Sequence, residues 1–364
     1  MYANGLVWSE WRRTDHHSDP TQSQGLAPAS PGSLAQSAIS CTTGFSGSSA
    51  TGQGFVRALH QVPVGTTRVR LCVRNWNPRY NMADDAAATI TNVNIGRHNG
   101  GASQSSAWTL VSAAGSTGTD GFKSEWVNLP AGTAGTEALV AFGWSSAGTV
   151  QNNTGYGFTG ASAANAITGT AAATNTLPFF IYLEVEVPAS KPKVAVFGDS
   201  LSSGVSATRV LYDSWLDQYC RPRGYVPMHW SHSGDQFDAW LDPLGKKWAP
   251  YGKDIVLADA VFMAMGSNLI FAGTTPTLQA CIDQTTACVA LLRKHVSPNV
   301  FGCTVPPRTA VTGEPEIRRR EYNAWMKKSP IFRDVFDMSA AVSLDDKTLN
   351  PAYDADGIHL FTAG

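Results

Sequence analysis

Four short segments of this 364-residue chain carry side chains that can work on a carbonyl. They are Gly198-Asp199-Ser200-Leu201, Ser231-His232-Ser233-Gly234-Asp235, Gly266-Ser267-Asn268 and Asp356-Gly357-Ile358-His359-Leu360. Ser200 offers a hydroxyl nucleophile, weak until a base takes its proton. His359 can take that proton and later return it to a leaving alcohol. Asp356 stands three residues before His359. At that spacing its carboxylate can accept the imidazole Nδ1–H, fixing the tautomer and stabilising the imidazolium. Negative charge then develops on the carbonyl oxygen. The backbone N–H groups of Ser200 and Gly234 and the side-chain amide of Asn268 are the candidate donors to it. Glycine at 234 lets backbone approach without a Cβ in the way.

Such residues work together only if the fold brings them to one rim. From Lys193 onward the chain alternates short apolar runs with helical patterns. Strands are expected at Lys193–Phe197, Tyr225–Trp230, Ala260–Met265, Asn299–Thr304 and Phe332–Met338. Helices are expected at Gly204–Cys220, Pro276–His295 and Glu316–Lys328. This order predicts a parallel sheet covered by helices, with right-handed crossovers: a doubly wound, flavodoxin-like α/β domain. In such sheets ligands bind beyond the carboxyl ends of the strands. Three of the four segments directly follow an expected strand, and the fourth lies near the chain end.

The amino-terminal half has another texture. Thr67–Val73, Ala138–Trp144 and Phe179–Val187 read as strands separated by Gly, Asn, Ser and Thr clusters. An all-β sandwich or jelly-roll-like domain is expected, with long loops at 100–120 and 157–175. Residues 1–187 hold 9 Lys+Arg and 10 Asp+Glu, against 18 and 18 in 188–364. That doubling of charge density places a boundary at Pro188. The expected organisation is an N-terminal arm (1–49), a β accessory domain (50–187) and an α/β domain (188–364). Met1–Ser40 shows no basic start followed by an apolar run, so no signal peptide is expected.

Composition removes several classes. Hydrophobic residues are 43%, charged residues 15% and net charge −1, which fits a folded protein without a broad nucleic-acid-binding surface. No apolar run reaches the ~18–20 residues of a membrane span. The six cysteines form no CxxC pair, which argues against a zinc or redox site. Cys281 and Cys288 lie two helical turns apart, roughly 10 Å by helical rise, too far for a disulfide. Most cysteines are expected as buried thiols, with Cys41–Cys72 the one candidate pair.

The four segments, in this order, resemble the SGNH (GDSL) hydrolase family: Ser200 in GDSL, Gly234 in SGD, Asn268 in MGSN, Asp356 and His359 in DGIHL. The resemblance spans 193–360. It implies a flavodoxin-like fold and ester hydrolysis through Ser200, without metal or cofactor. Two features depart from the family pattern. The residue after Asn268 is Leu269 where the family usually has Asp. The family's C-terminal helix is represented by only its first turn, in HLFTAG. The β-domain-first layout is similar to some carbohydrate esterases and to tail proteins of bacteriophages that bear such a domain.

The expected function is therefore a serine esterase acting on short acyl esters, O-acetyl groups of a polysaccharide among them. Lysophospholipase, thioesterase and acyltransferase activities stay open within the family. A binding or structural module of a surface or phage-tail-like assembly is the reading from outside it. An acyl ester, carried by an acetylated polysaccharide in the carbohydrate version, is the expected partner; no nucleic acid is expected.

Other residues have plainer expected roles. Asp199 is expected to organise its turn and Asp235 to hydrogen-bond the neighbouring loop; His232 is expected in a structural role, with substrate contact as the alternative. Arg308, after the fourth strand, is expected in a surface salt bridge, with substrate contact as the alternative. Arg318-Arg319-Arg320 is expected as a solvated helix face. Trp76, Trp108, Trp126 and Trp144 are expected mostly in the core, with sugar stacking as the alternative.

Overall fold

A computed structural model describes residues 36–41, 49–76, 86–100, 105–118, 121–241, 258–272 and 276–361. Most of the expected N-terminal arm and the last three residues of HLFTAG lie outside the described residues. The carboxy-terminal sheet has five parallel strands. They are β11 (Lys193–Gly198), β12 (Val226–Ser231), β13 (Ala260–Ala264), β14 (Val300–Cys303) and β15 (Val335–Phe336). Their order across the sheet is β12-β11-β13-β14-β15. This is the doubly wound order expected, with the chain reversing direction across the sheet beside β11. Every residue of β11 and β12 is buried, as strands covered on both faces must be.

The covering helices form where capping and periodicity agree. Helix α4 (Leu278–His295) starts at Thr277, whose hydroxyl accepts the Ala280 N–H at 3.1 Å. Cys281, Thr285, Cys288, Val289 and Leu292 line its buried face at helical spacing. Helix α5 (Glu314–Lys328) carries Glu314 and Glu316 in its first turn and Lys327 and Lys328 in its last, matching the helix dipole. Two shorter helices follow strands at the site, α1 (Ser200–Ser203) and α3 (Ser267–Ile270). The remaining two are α2 (Trp215–Cys220) and α6 (Met338–Val342).

Among the described residues, ten strands precede this sheet. They are β1 (Gln36–Cys41), β2 (Ser49–Gln61), β3 (Arg68–Arg74), β4 (Thr89–His98) and β5 (Ser105–Ser116), then β6 (Phe122–Lys123) and β7 (Val127–Asn128). The last three are β8 (Glu137–Gly160), β9 (Ala172–Pro178) and β10 (Phe180–Val187). One antiparallel sheet runs β1-β10-β3-β6 with β7 also on β3; the other runs β2-β8-β4-β5 with β9 on β8. Val69, Leu71 and Val73 of β3 share one buried cluster with Val56, Ile90, Val140 and Phe142 of the second sheet. The all-β expectation is met, with Trp76 and Trp144 in that core.

Four expectations need correction. The stretches at 100–120 and 157–175 are not simply loops: β5 and the ends of β8 and β9 lie in them. Ladder hydrogen bonds do not require apolar side chains, and Gly115 in β5 has a packing reason. A Cβ there would sit 2.2 Å from the Phe122 ring. The helix expected over Gly204–Cys220 is only α2. Ser206 and Leu211 take left-handed backbone angles (φ 75° and 64°), and Tyr212 leaves the sequence-local pattern to pack with Leu59, Leu139 and Phe158. The arginine run is a solvated face only at Arg320, which is exposed. Arg318 donates to the carbonyls of Ile270 and Pro276, and Arg319 is fully buried against Glu316 and Asp346. Last, Cys72 is a free, buried thiol, so the Cys41–Cys72 pair does not form.

The two parts of the chain share contacts. Arg209 bridges Glu137 at 2.8 Å, and the Tyr212 hydroxyl donates to Gln61 Oε1 at 2.7 Å. His232 stacks on Trp240 (6.1 Å, 7°) and meets Trp76 and Phe180 at 6.3 and 6.2 Å. No described helix is long and apolar enough to cross a membrane.

Candidate active site

Ser200 follows β11 and is the first residue of α1. The first N–H groups of a helix have no partner inside it, so the Ser200 N–H is one that a substrate oxygen can use. Ser200 is 7% exposed. His359 Nε2 lies 3.0 Å from Ser200 Oγ, and His359 Nδ1 lies 2.7 Å from Asp356 Oδ2. The sequence separation of 159 residues between Ser200 and His359 is closed by the sheet.

The loop carrying Asp356 and His359 is tied down from several sides. Asp356 Oδ1 accepts the N–H groups of Ile358 and His359 at 3.0 and 2.8 Å. Burial raises the Asp356 pKa, but hydrogen bonds from the His359 ring and from these two amides outweigh it and hold the carboxylate below its usual value. Thr309 secures the loop to the chain after β14. Its N–H donates to the Gly357 carbonyl and its hydroxyl to Asp354 Oδ2, each at 2.8 Å. Thr309 and Asp354 were not legible as site residues, because their pairing joins positions 45 apart with no motif of their own.

Gly234 follows β12 at φ 82°, a left-handed angle that favours glycine. Asn268 lies in α3, just beyond β13. Its Nδ2 donates to the Asp235 carbonyl at 3.1 Å, and its Oδ1 accepts from Arg308 Nη2 at 3.2 Å. Asp235 in turn accepts the indole N–H of Trp240, further along the loop, at 2.9 Å, the structural role expected of it. Arg308 makes no salt bridge among the described residues, contrary to expectation. Its guanidinium is drawn inward to the hydroxyl of Ser267, the amide of Asn268 and the ring of Phe271.

Asp199 is 1% exposed, and its Oδ1 caps α1 by accepting the Leu201 N–H at 3.1 Å. Burial pushes its pKa up to about 7, while the Leu201 N–H and the Arg308 charge pull the other way. The folded chain therefore keeps a proton that the unfolded chain releases near an ordinary aspartate value of about 3.9. Stability from that proton is lost as pH rises from about 4 to 7, by at most about 1.4 kcal/mol per pH unit. Asp199→Asn retains the capping oxygen and is expected to flatten the fall in unfolding temperature between about pH 4 and 7. An unchanged slope in a thermal melt series would assign the titration to another group.

Among the described residues, no group of three or more His, Cys, Asp or Glu is arranged to hold a metal ion. What the geometry offers is a hydroxyl in contact with an imidazole, that imidazole in contact with a carboxylate, and amide donors at the ends of neighbouring strands. That set can generate an alkoxide-like nucleophile and shuttle one proton.

No curated protein matches the sequence. A family two carbohydrate esterase from Cellvibrio japonicus is similar in structure at 14% identity, covering 91% of this chain and 89% of its own, with a TM-score of 0.39. A family two carbohydrate esterase from Clostridium thermocellum, in complex with cellohexaose, is similar at 14% identity, covering 90% and 94%, with a TM-score of 0.37. A putative lipolytic protein of the G-D-S-L family from Desulfitobacterium hafniense is similar at 13% identity over 48% of this chain and 93% of its own, with a TM-score of 0.39. In sequence, residues 196–364 match the family described as GDSL-like Lipase/Acylhydrolase. Residues 196–364, which hold nearly all of the parallel sheet, thus carry a GDSL-like lipase/acylhydrolase domain.

Proposed function

We propose that the chain is a serine esterase that cleaves short acyl esters through an acyl-enzyme on Ser200. One observation carries the reading: His359 is in hydrogen-bond reach of both Ser200 Oγ (3.0 Å) and Asp356 Oδ2 (2.7 Å). In the acylation step Ser200 Oγ attacks the ester carbonyl as His359 Nε2 takes its proton. Asp356 keeps the other proton on Nδ1 and stabilises the imidazolium. The carbonyl oxygen becomes an oxyanion that the Ser200 and Gly234 N–H groups and the Asn268 amide would receive. Collapse expels the alcohol, protonated by His359. Water then attacks the acyl-enzyme with His359 again as base, releasing the acid and restoring Ser200.

O-acetyl groups on a polysaccharide are the substrate class proposed first. The support is the layout, an all-β region ahead of a GDSL domain, which the sequence shares with some carbohydrate esterases. The test is turnover of p-nitrophenyl esters from acetate to octanoate by the full chain, with diethyl p-nitrophenyl phosphate as covalent probe. Hydrolysis strongest at acetate, and a phosphoryl adduct on the Ser200 peptide by mass spectrometry, are expected. No turnover above buffer by a folded chain, or an adduct elsewhere, would sink the reading. Release of acetate from acetylated xylan, against none from a long-chain lysophospholipid, separates the carbohydrate version from a lipase.

A further inference from the structure

A carboxamide has two ends of nearly equal size and opposite hydrogen-bonding character. An asparagine that is to donate from Nδ2 must therefore be prevented from turning over. Asn268 is held at both ends. Its Nδ2 faces the Asp235 carbonyl at 3.1 Å, and its Oδ1 faces Arg308 Nη2 at 3.2 Å. In the reversed orientation an NH2 would face the guanidinium and an oxygen would face a carbonyl, so both contacts would become repulsive. Only one of the two Nδ2 hydrogens is used by Asp235, which leaves the other to donate. The neighbouring residue in sequence cannot supply this restraint, because Leu269 is apolar and buried.

Arg308 is itself held. Its Nε and Nη2 both donate to Ser267 Oγ, at 3.3 and 3.0 Å, and its guanidinium lies 4.6 Å from the centre of the Phe271 ring. It reaches α3 from the loop that follows β14, next to Thr309, which secures the loop of Asp356 and His359. We propose that Arg308 is the positioning residue for Asn268, fixing the amide orientation that presents an N–H to the oxyanion. The inference rests on the esterase reading of Ser200. A planar fork suits this role better than an ammonium: it covers the Ser267 hydroxyl and the Asn268 oxygen together and sits over an aromatic ring.

The experiment is a double-mutant cycle on p-nitrophenyl acetate hydrolysis by the full chain, with Ser200→Ala as the blank. Asn268→Ala is expected to lower kcat by about 10²- to 10³-fold, the cost of one oxyanion donor. Arg308→Met is expected to lower kcat by about 10- to 100-fold with KM changed less than about twofold, and Arg308→Lys to recover part of that loss. In the Asn268→Ala background, Arg308→Met should cost less than about threefold, because the residue it positions is gone. Losses that multiply across the cycle overturn the proposal. So does a raised KM at unchanged kcat, which would make Arg308 a substrate contact, or wild-type kcat in Arg308→Met. Should Arg308→Met fail to fold by thermal melting, the cycle is run with Arg308→Lys, whose loss must likewise vanish beside Asn268→Ala. A wild-type chain no faster than Ser200→Ala removes the esterase reading and the positioning role with it. Ser200-dependent hydrolysis with multiplying losses removes the positioning role alone.

Discussion

Ser200→Ala is expected to lower kcat on p-nitrophenyl acetate by about four to six orders of magnitude while KM stays within about threefold. The hydroxyl oxygen is the atom that forms the acyl bond, and among the described residues no other side chain is hydrogen-bonded to His359 Nε2. Binding of the ester uses the rest of the cleft, so the loss belongs in kcat. His359→Ala should cost about as much, and the double variant little more, since nucleophile and base act as one unit. Stopped assays with unfolding temperatures measured on the same samples check this. Turnover in folded Ser200→Ala at more than about a hundredth of wild type would show another nucleophile at work.

Asp356→Asn is the second large effect, with kcat expected to fall by about 10⁴-fold. The reason is specific to this loop. Asp356 Oδ1 is already engaged by the N–H groups of Ile358 and His359, at 3.0 and 2.8 Å, and an N–H needs an oxygen there. An asparagine at 356 must keep its oxygen on those amides, so its NH2 is forced onto His359 Nδ1. Nδ1 then has to be the acceptor, the proton sits on Nε2, and the ring cannot take the Ser200 proton. Asp356→Ala leaves Nδ1 free to water and is expected to be the less damaged variant. Comparison of kcat for the two at equal folding decides it. An asparagine variant more active than the alanine one would contradict the tautomer argument.

The same geometry shows which part of the site was legible in the sequence. Ser200, Gly234 and Asn268 each lie a few residues beyond a run long enough to be a buried strand. A parallel sheet then puts all three at one edge. Asp356 and His359 were legible because their interaction is local, closed within one turn. Arg308 was not legible as a neighbour of Asn268, since an arginine after a strand reads as a surface charge. Its inward turn depends on an amide oxygen and a ring from another loop. Arg318 and Arg319 were misread for the same reason: what lets them be buried is carbonyls and carboxylates at Ile270, Pro276, Val305 and Asp346, far along the chain.

The segment after α1 makes a complementary point. Its apolar spacing permits a helix, yet Tyr212 belongs to a cluster with Leu59, Leu139 and Phe158 of the β region. A pattern of apolar residues says that they will be buried, and only the neighbours decide by what. The sequence by itself determined the succession of strands along the chain, the end of the sheet at which chemistry can occur, and the identities of Ser200, Asp356, His359, Gly234 and Asn268 as its candidates. These follow from short-range periodicity and local spacing. The tertiary structure alone decided how each candidate is held: Thr309 and Asp354 on the histidine loop, Arg308 and Asp235 on the amide, Trp76 and Phe180 against His232. Those restraints pair groups distant in sequence, and a hydrogen bond or ring contact at a distance leaves no mark on the local pattern of either partner.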